Sequence, residues 1–281
     1  ARLLCVTSYV SRLLYQKHRF SAEIKNHLLF IPASTSNMTS PKAVIKSIGP
    51  KLVPFFKTVS IYFVLFIPSS SPSWLGVLVK CLPVVSLCIF VLLHGMSLSD
   101  EFTFSRRILI GLIFSCFGDA FLIFPQYFKH GMMSFAVAQM LYTSAFGFHP
   151  INPYAGCVCY AFGAAVFYIL LPGLDGSLAI MVGIYQILLV TMAWRAIARV
   201  QLFEELWTWT KLCSCAGGVL FMISDCLIGF DHFHSPIPYS QVIIMITYYA
   251  AQLGIALSVV DSRASLTSKA TPKTRQALAA Q

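Results

Sequence analysis

Charged residues are scarce in this sequence. Only 11% of its 281 residues are charged and 57% are hydrophobic, whereas an average soluble protein has about 25% charged residues. The 20 basic and 10 acidic side chains are too few to cover the surface of one or two soluble domains of this total length. A soluble globular protein is therefore excluded, and the composition is typical of a polytopic membrane protein whose outer surface is solvated by lipid.

Several motifs of large enzyme classes are also absent. The chain has no Gly-x-Ser-x-Gly, no Walker sequence and no Gly-x-Gly-x-x-Gly, so serine-esterase, ATPase and dinucleotide-binding functions have no anchor. Its nine cysteines follow no disulfide-framework spacing and are interpreted as small buried hydrophobes. The net charge of +10 would suggest nucleic acid in a soluble protein, but here it indicates topology and contact with anionic lipid.

Long apolar runs dominate the rest of the chain, and eight of them are long enough to cross a bilayer. Short connections, two of them Pro150–Pro153 and Pro172–Gly176, require antiparallel neighbours. The sequence therefore predicts an all-α bundle of eight transmembrane helices. The runs are Leu52–Pro68, Trp74–Leu93, Ile108–Phe124, Met132–Phe148, Tyr154–Leu171, Leu178–Trp194, Lys211–Phe230 and Ile237–Val260.

The basic residues predict the orientation. With eight spans, 17 of the 20 lysines and arginines fall on the side that carries both termini, and one, Lys129, falls on the other. By the positive-inside rule, both termini are predicted to be cytosolic. Residues 1–37 are basic and lack a signal-peptide core, so we interpret them as a disordered or non-native extension. Residues 38–260 form the predicted membrane domain, and residues 261–281 form a cytosolic tail.

Two acidic residues, Asp119 and Asp225, lie inside apolar spans. A carboxylate at this depth costs at least about 2.5 kcal/mol to insert and is tolerated only where it faces an interior or a wet cavity. Both spans enter from the predicted cytosolic side, and the residues lie 11 and 14 positions in, which corresponds to roughly 17 to 21 Å. At matching depth the two carboxylates can meet across one cavity, and they are the candidate catalytic residues.

The surroundings of the two aspartates are similar. Small residues flank each acid, and the following spans share the dipeptides Ala138-Gln139 and Ala251-Gln252. This similarity indicates a 4+4 internal repeat with one carboxylate in each half. An alternative that stays open is that each aspartate only bonds a neighbouring side chain or backbone group.

Other polar residues at or near membrane depth are candidates for substrate binding. Lys80 is expected to pair with a carboxylate or a phosphate. Arg195, at the cytosolic end of its span, fits an interfacial anchor as well as a phosphate ligand, and His130 lies near a span boundary. Three possible zinc ligands, Asp231, His232 and His234, lie together, but their local spacing does not make a tetrahedral site and no metal is expected. The candidates are Lys80, His130, Gln139, Tyr142, Tyr185, Arg195, Tyr248, Tyr249 and Gln252.

Six short segments resemble the vertebrate members of the lysoplasmalogenase family, also called YhhN-like proteins. The resemblance extends over about residues 38–260. The segments are Gly49-Pro-Lys-Leu-Val-Pro-Phe-Phe-Lys57, Pro68-Ser-Ser-Ser-Pro-Ser-Trp74, Gly118-Asp-Ala-Phe-Leu122, Leu141-Tyr-Thr-Ser-Ala-Phe-Gly147, Ser224-Asp225 and Thr247-Tyr-Tyr-Ala-Ala-Gln252.

The resemblance implies an eight-span hydrolase, in animals mainly of the endoplasmic reticulum, that cleaves the vinyl ether of lysoplasmalogens without a cofactor. The products are a fatty aldehyde and glycerophosphoethanolamine or glycerophosphocholine. The two family aspartates thought to be catalytic match Asp119 and Asp225. One position departs from the family, since Gln139 stands where a histidine is expected in an Ala-His-x-x-Tyr-like pattern.

Vinyl ether hydrolysis begins with protonation of the alkenyl β-carbon, and water then traps the oxocarbenium ion. We therefore hypothesise that one aspartate supplies the proton and the other stabilises the cation and activates water, as paired carboxyls do in glycosidases. Lysoplasmalogen, water and membrane lipid are the expected partners. The residues leave two alternatives open: a proton-coupled transporter or scramblase of lipid-like substrates, and a metal-dependent lipid hydrolase.

Overall fold

The fold is all-helical over the part of the chain that the structure describes. A computed structural model describes residues 41–65, 72–94, 102–200 and 209–260, and none of these residues forms a strand. Two 3-10 helices, Pro125–Tyr127 and Leu171–Gly173, lie in the connections. The eight α-helices are α1 Pro41–Leu65, α2 Trp74–Leu93, α3 Thr103–Leu122, α4 Phe128–Phe146, α5 Pro153–Leu170, α6 Gly176–Ala198, α7 Trp209–Phe233 and α8 Ser240–Leu257.

The chain divides into two units, residues 1–47 and residues 48–281. Of the first unit only the start of α1 is described, and all packing below belongs to the second. The predictions for residues 1–37 and for the tail lie outside the described residues.

Each predicted span corresponds to one helix, and six of the eight helices are long and apolar enough to cross a membrane. The two others are α3 and α4. They fall short because polar residues interrupt them: Arg106, Arg107 and Asp119 in α3, and Lys129 and Gln139 in α4. The prediction of a multi-pass all-α membrane protein is confirmed, whereas the count of eight crossings stays a prediction.

Turn residues end and begin the helices as their chemistry requires. Gly147 ends α4 with φ of 74°, a conformation that glycine adopts without strain. Asn152 then caps α5, since its side chain accepts a hydrogen bond from the Ala155 N–H at 3.1 Å, and Pro153 occupies the first helical position. The short α4–α5 connection therefore turns the chain back, as predicted.

The most extensive packing joins α3 to α4 and α7 to α8. Small residues permit the second of these contacts. A Cβ added at Gly217 of α7 would lie 2.8 Å from the Ala251 carbonyl oxygen of α8, and one added at Gly254 would lie 2.7 Å from the Cys213 carbonyl oxygen. The backbones of α7 and α8 are thus in direct contact, the geometry that small residues allow between membrane helices.

Candidate active site

Asp119 lies on α3 and is almost fully buried, with 2% of its surface exposed. The Lys80 Nζ of α2 lies 3.6 Å from its Oδ1, and the Tyr248 hydroxyl of α8 donates to its Oδ2 at 2.6 Å. The Tyr249 hydroxyl donates to the backbone carbonyl of Lys80 at 2.9 Å. The buried carboxylate is therefore paired with a cation and hydrogen-bonded, the two conditions under which burial of a charge is tolerated.

Asp225 lies in α7 and has a different set of partners. The Tyr185 hydroxyl of α6 donates to its Oδ2, and the Gln139 Nε2 of α4 donates to the same oxygen at 3.2 Å. Gln139 stands where the family resemblance leads us to expect a histidine. It is fully buried and serves as a donor to this aspartate. Both described donors are uncharged and end on one oxygen, which leaves Oδ1 available to a ligand.

A cavity of about 60 Å³ adjoins Asp225. Asp225, Tyr185 and Gln186 supply its main polar groups, and the remaining wall is mostly aliphatic and aromatic. This composition, an apolar wall with a few polar groups, is that of a small-molecule site. Asp119 is not among the residues that line it. The residues of the wall are Leu122, Phe128, Met132, Phe135, Val166, Leu170, Val182, Tyr185, Gln186, Leu189, Asp225, Cys226, Ile228, Gly229 and Phe233.

Aromatic rings connect the two aspartate clusters. Phe135 lines the cavity, and its ring centroid lies 5.9 Å from that of Tyr248, which binds Asp119. The same Phe135 ring packs over Gly118, where an added Cβ would lie 2.6 Å from it. Tyr142 and Gln252 form a further buried pair, in which the Tyr142 hydroxyl donates to the Gln252 Oε1 at 3.0 Å. Their matching depth predicts that the two aspartates meet across one cavity. The structure places them in separate polar clusters, which these aromatic rings connect.

Two predicted phosphate ligands lie away from this region. His130 is exposed at the start of α4 and packs beside the rings of Phe121 and Tyr127. Arg195 is fully buried near the end of α6, and it donates to the carbonyl oxygens of Gly147 at 2.6 Å and Pro150 at 2.9 Å. Arg195 therefore holds the α4–α5 connection, and only Lys80 of the three contacts an aspartate.

These contacts predict that Arg195→Lys lowers the melting temperature of the purified protein by about 5–10 °C. Lysine has no fork to reach both carbonyls, and a hydrogen bond to a buried charged group contributes about 1.5–3 kcal/mol. Thermal unfolding in detergent measures the change, with the exposed Arg107 changed to Lys as the control. A raised KM for a phosphate-bearing substrate with an unchanged melting temperature would instead support a role in phosphate binding.

The structure offers no metal centre in its described part. No group of three or more His, Cys, Asp or Glu side chains lies close enough to hold an ion among those residues. His232 stacks on Phe128 with the ring centroids 4.7 Å apart, and the Asp231 Oδ1 accepts the Ile237 N–H at 2.7 Å. The alternative of a metal-dependent hydrolase gains no support from Asp231 and His232, which lie at the end of α7.

Gln186 is a cavity residue that sequence reasoning missed. It directly follows Tyr185 on α6, and an uncharged amide inside an apolar run was the available signal. An amide in an apolar run is a weaker indication of a site than an acid, because inserting an amide into a membrane is less unfavourable than inserting a charge.

Comparison with known proteins places the chain among named relatives. It is 48% identical over 228 residues to the lysoplasmalogenase TMEM86A of Bos taurus, a match that covers 80% of this chain and 95% of the relative. The Homo sapiens protein of the same name is 47% identical over the same length and coverage. The lysoplasmalogenase TMEM86B of Sus scrofa is 38% identical over 217 residues, 76% of this chain and 88% of the relative. No solved structure matches the chain significantly.

The family is shown by a second comparison. Residues 75–259, which include both aspartates and the whole cavity wall, match the YhhN family. The match confirms the family that the short motifs predicted. The chain belongs to the YhhN family.

Proposed function

We propose that this chain is a lysoplasmalogenase, which hydrolyses the vinyl ether of alkenyl-glycerophosphoethanolamine or alkenyl-glycerophosphocholine. The observation that carries the proposal is a carboxyl group, that of Asp225, in the wall of an otherwise largely apolar cavity. The vinyl end of an alkenyl chain fits apolar walls, and its hydrolysis needs one group that gives and takes a proton. The relatives named lysoplasmalogenases support the same reaction.

The chemistry uses Asp225 as an acid and then as a base. Its carboxyl proton is transferred to the alkenyl β-carbon, and the electrons of the double bond form the new C–H bond. The resulting oxocarbenium ion is stabilised by the carboxylate that the transfer creates. Water adds to the α-carbon and returns a proton to Asp225. The hemiacetal then breaks its C–O bond to glycerol: the bonding electrons and a proton go to the glycerol oxygen, and the hydroxyl loses its proton as the aldehyde C=O forms. Aldehyde and glycerophospho-base leave, and no cofactor takes part.

The two aspartates are proposed to have unequal roles. Asp225 has no basic side chain among its described partners, and its Oδ1 is left for the transferable proton. Asp119 forms an ion pair with Lys80, which requires its carboxylate form. Through Tyr248 it positions α8 against Phe135, a wall of the cavity. Asp119 is thus a positioning residue in this proposal, whereas an equal division of acid and base roles is the alternative.

We also propose that all eight helices cross the membrane, with both termini in the cytosol and the endoplasmic reticulum as the membrane. The polar side chains of α3 and α4 at mid-membrane depth support this topology, because Asp119 and Gln139 are buried inside the protein, away from lipid. The 17-to-1 distribution of basic residues supports the orientation.

The partners of the aspartates support the internal repeat. Asp119, on the third helix of the first half, contacts one side chain from α2 and one from α8. Asp225, on the third helix of the second half, contacts one side chain from α6 and one from α4. Each aspartate therefore has a partner on the second helix of its own half and another on the fourth helix of the opposite half, as a pseudo-twofold repeat requires.

Aldehyde release by the purified full chain tests the function. Glycerophosphoethanolamines that carry the same chain as an alkenyl ether, an alkyl ether or an acyl ester are compared, and the choline alkenyl ether is included. We expect aldehyde from the alkenyl substrates alone, and we expect a chelator to leave the rate unchanged. Lipid flux across proteoliposomes without aldehyde would contradict the proposal and support the proton-coupled carrier.

A further inference from the structure

The amide of Gln186 is a buried donor without an acceptor. Its Nε2 is shielded from solvent and has no hydrogen-bond partner in the described part of the chain. Buried polar groups in proteins are nearly always satisfied, so an unpaired donor beside a cavity calls for a ligand that accepts from it. Gln186 lines the same cavity as Asp225.

Gln186 also lines a second cavity, a groove of about 260 Å³ between α5 and α6. Apart from Gln186 and the Tyr160 hydroxyl, the groove offers aliphatic, aromatic and glycine surface, and a Cβ added at Gly163 would lie 3.4 Å from the Gln186 Nε2. The residues of this groove, named here the α5–α6 groove, are Tyr160, Gly163, Ala164, Phe167, Gly183, Gln186, Ile187 and Val190.

The α5–α6 groove lies on two helices that are apolar enough to span a membrane. Two of the side chains that line it are exposed: 39% of the Tyr160 surface and 58% of the Ile187 surface are accessible. The medium around such a surface is hydrocarbon, and a groove of this composition suits one lipid chain. Gln186 is common to both cavities, so a group bound to its amide lies at the boundary between the groove and the cavity that Asp225 lines.

We propose that Gln186 binds the free 2-hydroxyl oxygen of the lysolipid glycerol while the alkenyl chain occupies the α5–α6 groove. This inference rests on the proposed function and names how the substrate is held. The hydroxyl is a better acceptor than the ether oxygen, because the ether oxygen becomes positively charged in the oxocarbenium ion and repels a donor. The hydroxyl carbon adjoins the carbon that bears the ether, so binding it presents the vinyl group to Asp225.

The first test crosses a variant with a substrate analogue. Gln186→Leu is assayed with the natural lysoplasmalogen and with an analogue that lacks the 2-hydroxyl. Wild type is expected to lose about tenfold in kcat/KM on the analogue, and the variant is expected to lose about the same on the natural substrate, without a further loss on the analogue. Ile184→Leu, an exposed position on the same helix, is the control.

A structural role for Gln186 would give a different result. Removing an unpaired buried donor should leave the melting temperature unchanged or raised, whereas removing a structural hydrogen bond should lower it. The inference would be overturned if wild type and Gln186→Leu lost the same factor in kcat/KM on the analogue. It would also be overturned if Gln186→Leu had a lowered melting temperature and an unchanged KM. If wild type itself releases no aldehyde, the proposed function fails; if wild type is active and Gln186→Leu behaves like it, this inference alone fails.

The groove is tested by filling it. Ala164→Phe places a ring in the α5–α6 groove, and Ala165→Phe places the same ring at the adjacent exposed position that does not line it. We expect Ala164→Phe to raise KM, more strongly for long alkenyl chains than for short ones, with Ala165→Phe close to wild type. Equal KM values for the two variants at every chain length would overturn the chain's proposed location.

Discussion

Replacing Asp225 by asparagine is expected to reduce the rate of aldehyde release by about 10²- to 10⁴-fold, the range that general acid–base catalysis contributes. Asparagine has the same shape and still accepts the hydrogen bonds of Tyr185 and Gln139 through its oxygen, but it has no transferable proton. The cavity and the fold should persist, so KM should change much less than kcat. Steady-state assays of the purified variant measure both quantities.

Asp231→Asn is the matched control, since Asp231 lies six residues further along α7 and its Oδ1 accepts a backbone N–H. This control should retain wild-type activity. The wild-type rate should fall as pH rises, because a general acid must carry its proton before the reaction. An Asp225→Asn variant with wild-type activity, or a rate that is constant from about pH 5 to 9, would exclude the proposed proton transfer.

Breaking the Lys80–Asp119 ion pair is expected to have the largest effect on stability. Lys80→Met or Asp119→Asn removes one partner of a buried pair, and such a loss costs about 3–5 kcal/mol. For a protein of this size, this cost corresponds to a fall of about 10 °C in melting temperature. The double variant leaves no uncompensated charge, so it should recover most of that loss. Thermal unfolding of the three variants in one detergent measures the pattern.

Activity of the same variants decides the role of Asp119. Because Asp119 does not line the cavity, activity is expected to follow stability, and the double variant should regain activity to within about tenfold of wild type. Lys129→Met, which removes an exposed lysine at the start of α4, should leave both measurements unchanged. A double variant that is stable yet as inactive as Asp225→Asn would show that both aspartates take part in the chemistry.

The aspartate clusters show where reasoning from residues succeeds. The acids stand out because charge inside an apolar run is unfavourable, and counting residues from a span's end gives depth, since each helical residue rises by a nearly constant distance. The sequence also marks four other polar residues at membrane depth, Lys80, Gln139, Tyr185 and Tyr248. Depth alone does not say which helix faces which, so the pairing of donors with acids was not predictable.

Arg195 and Gln186 show the limit from the other side. The sequence leaves Arg195 open between a phosphate ligand and an interfacial anchor. The conformation of residues 147–150 instead offers it two carbonyls at hydrogen-bond distance. Connection geometry of this kind depends on contacts between residues almost 50 positions apart. Gln186 matters only through its place between two cavities, and cavities arise from packing rather than from local pattern.

From the sequence alone it follows that this protein is helical and membrane-embedded, that it belongs to the YhhN family, and that two carboxyls lie inside apolar runs. Those properties follow from composition, periodicity and short motifs, which are local. The tertiary structure is needed to see that Asp225 lines a cavity while Asp119 is paired with Lys80, and that the Gln186 Nε2 has no acceptor among the described residues. These differences depend on how the helices are rotated about their axes and which of them are neighbours, and side-chain packing throughout the bundle determines both.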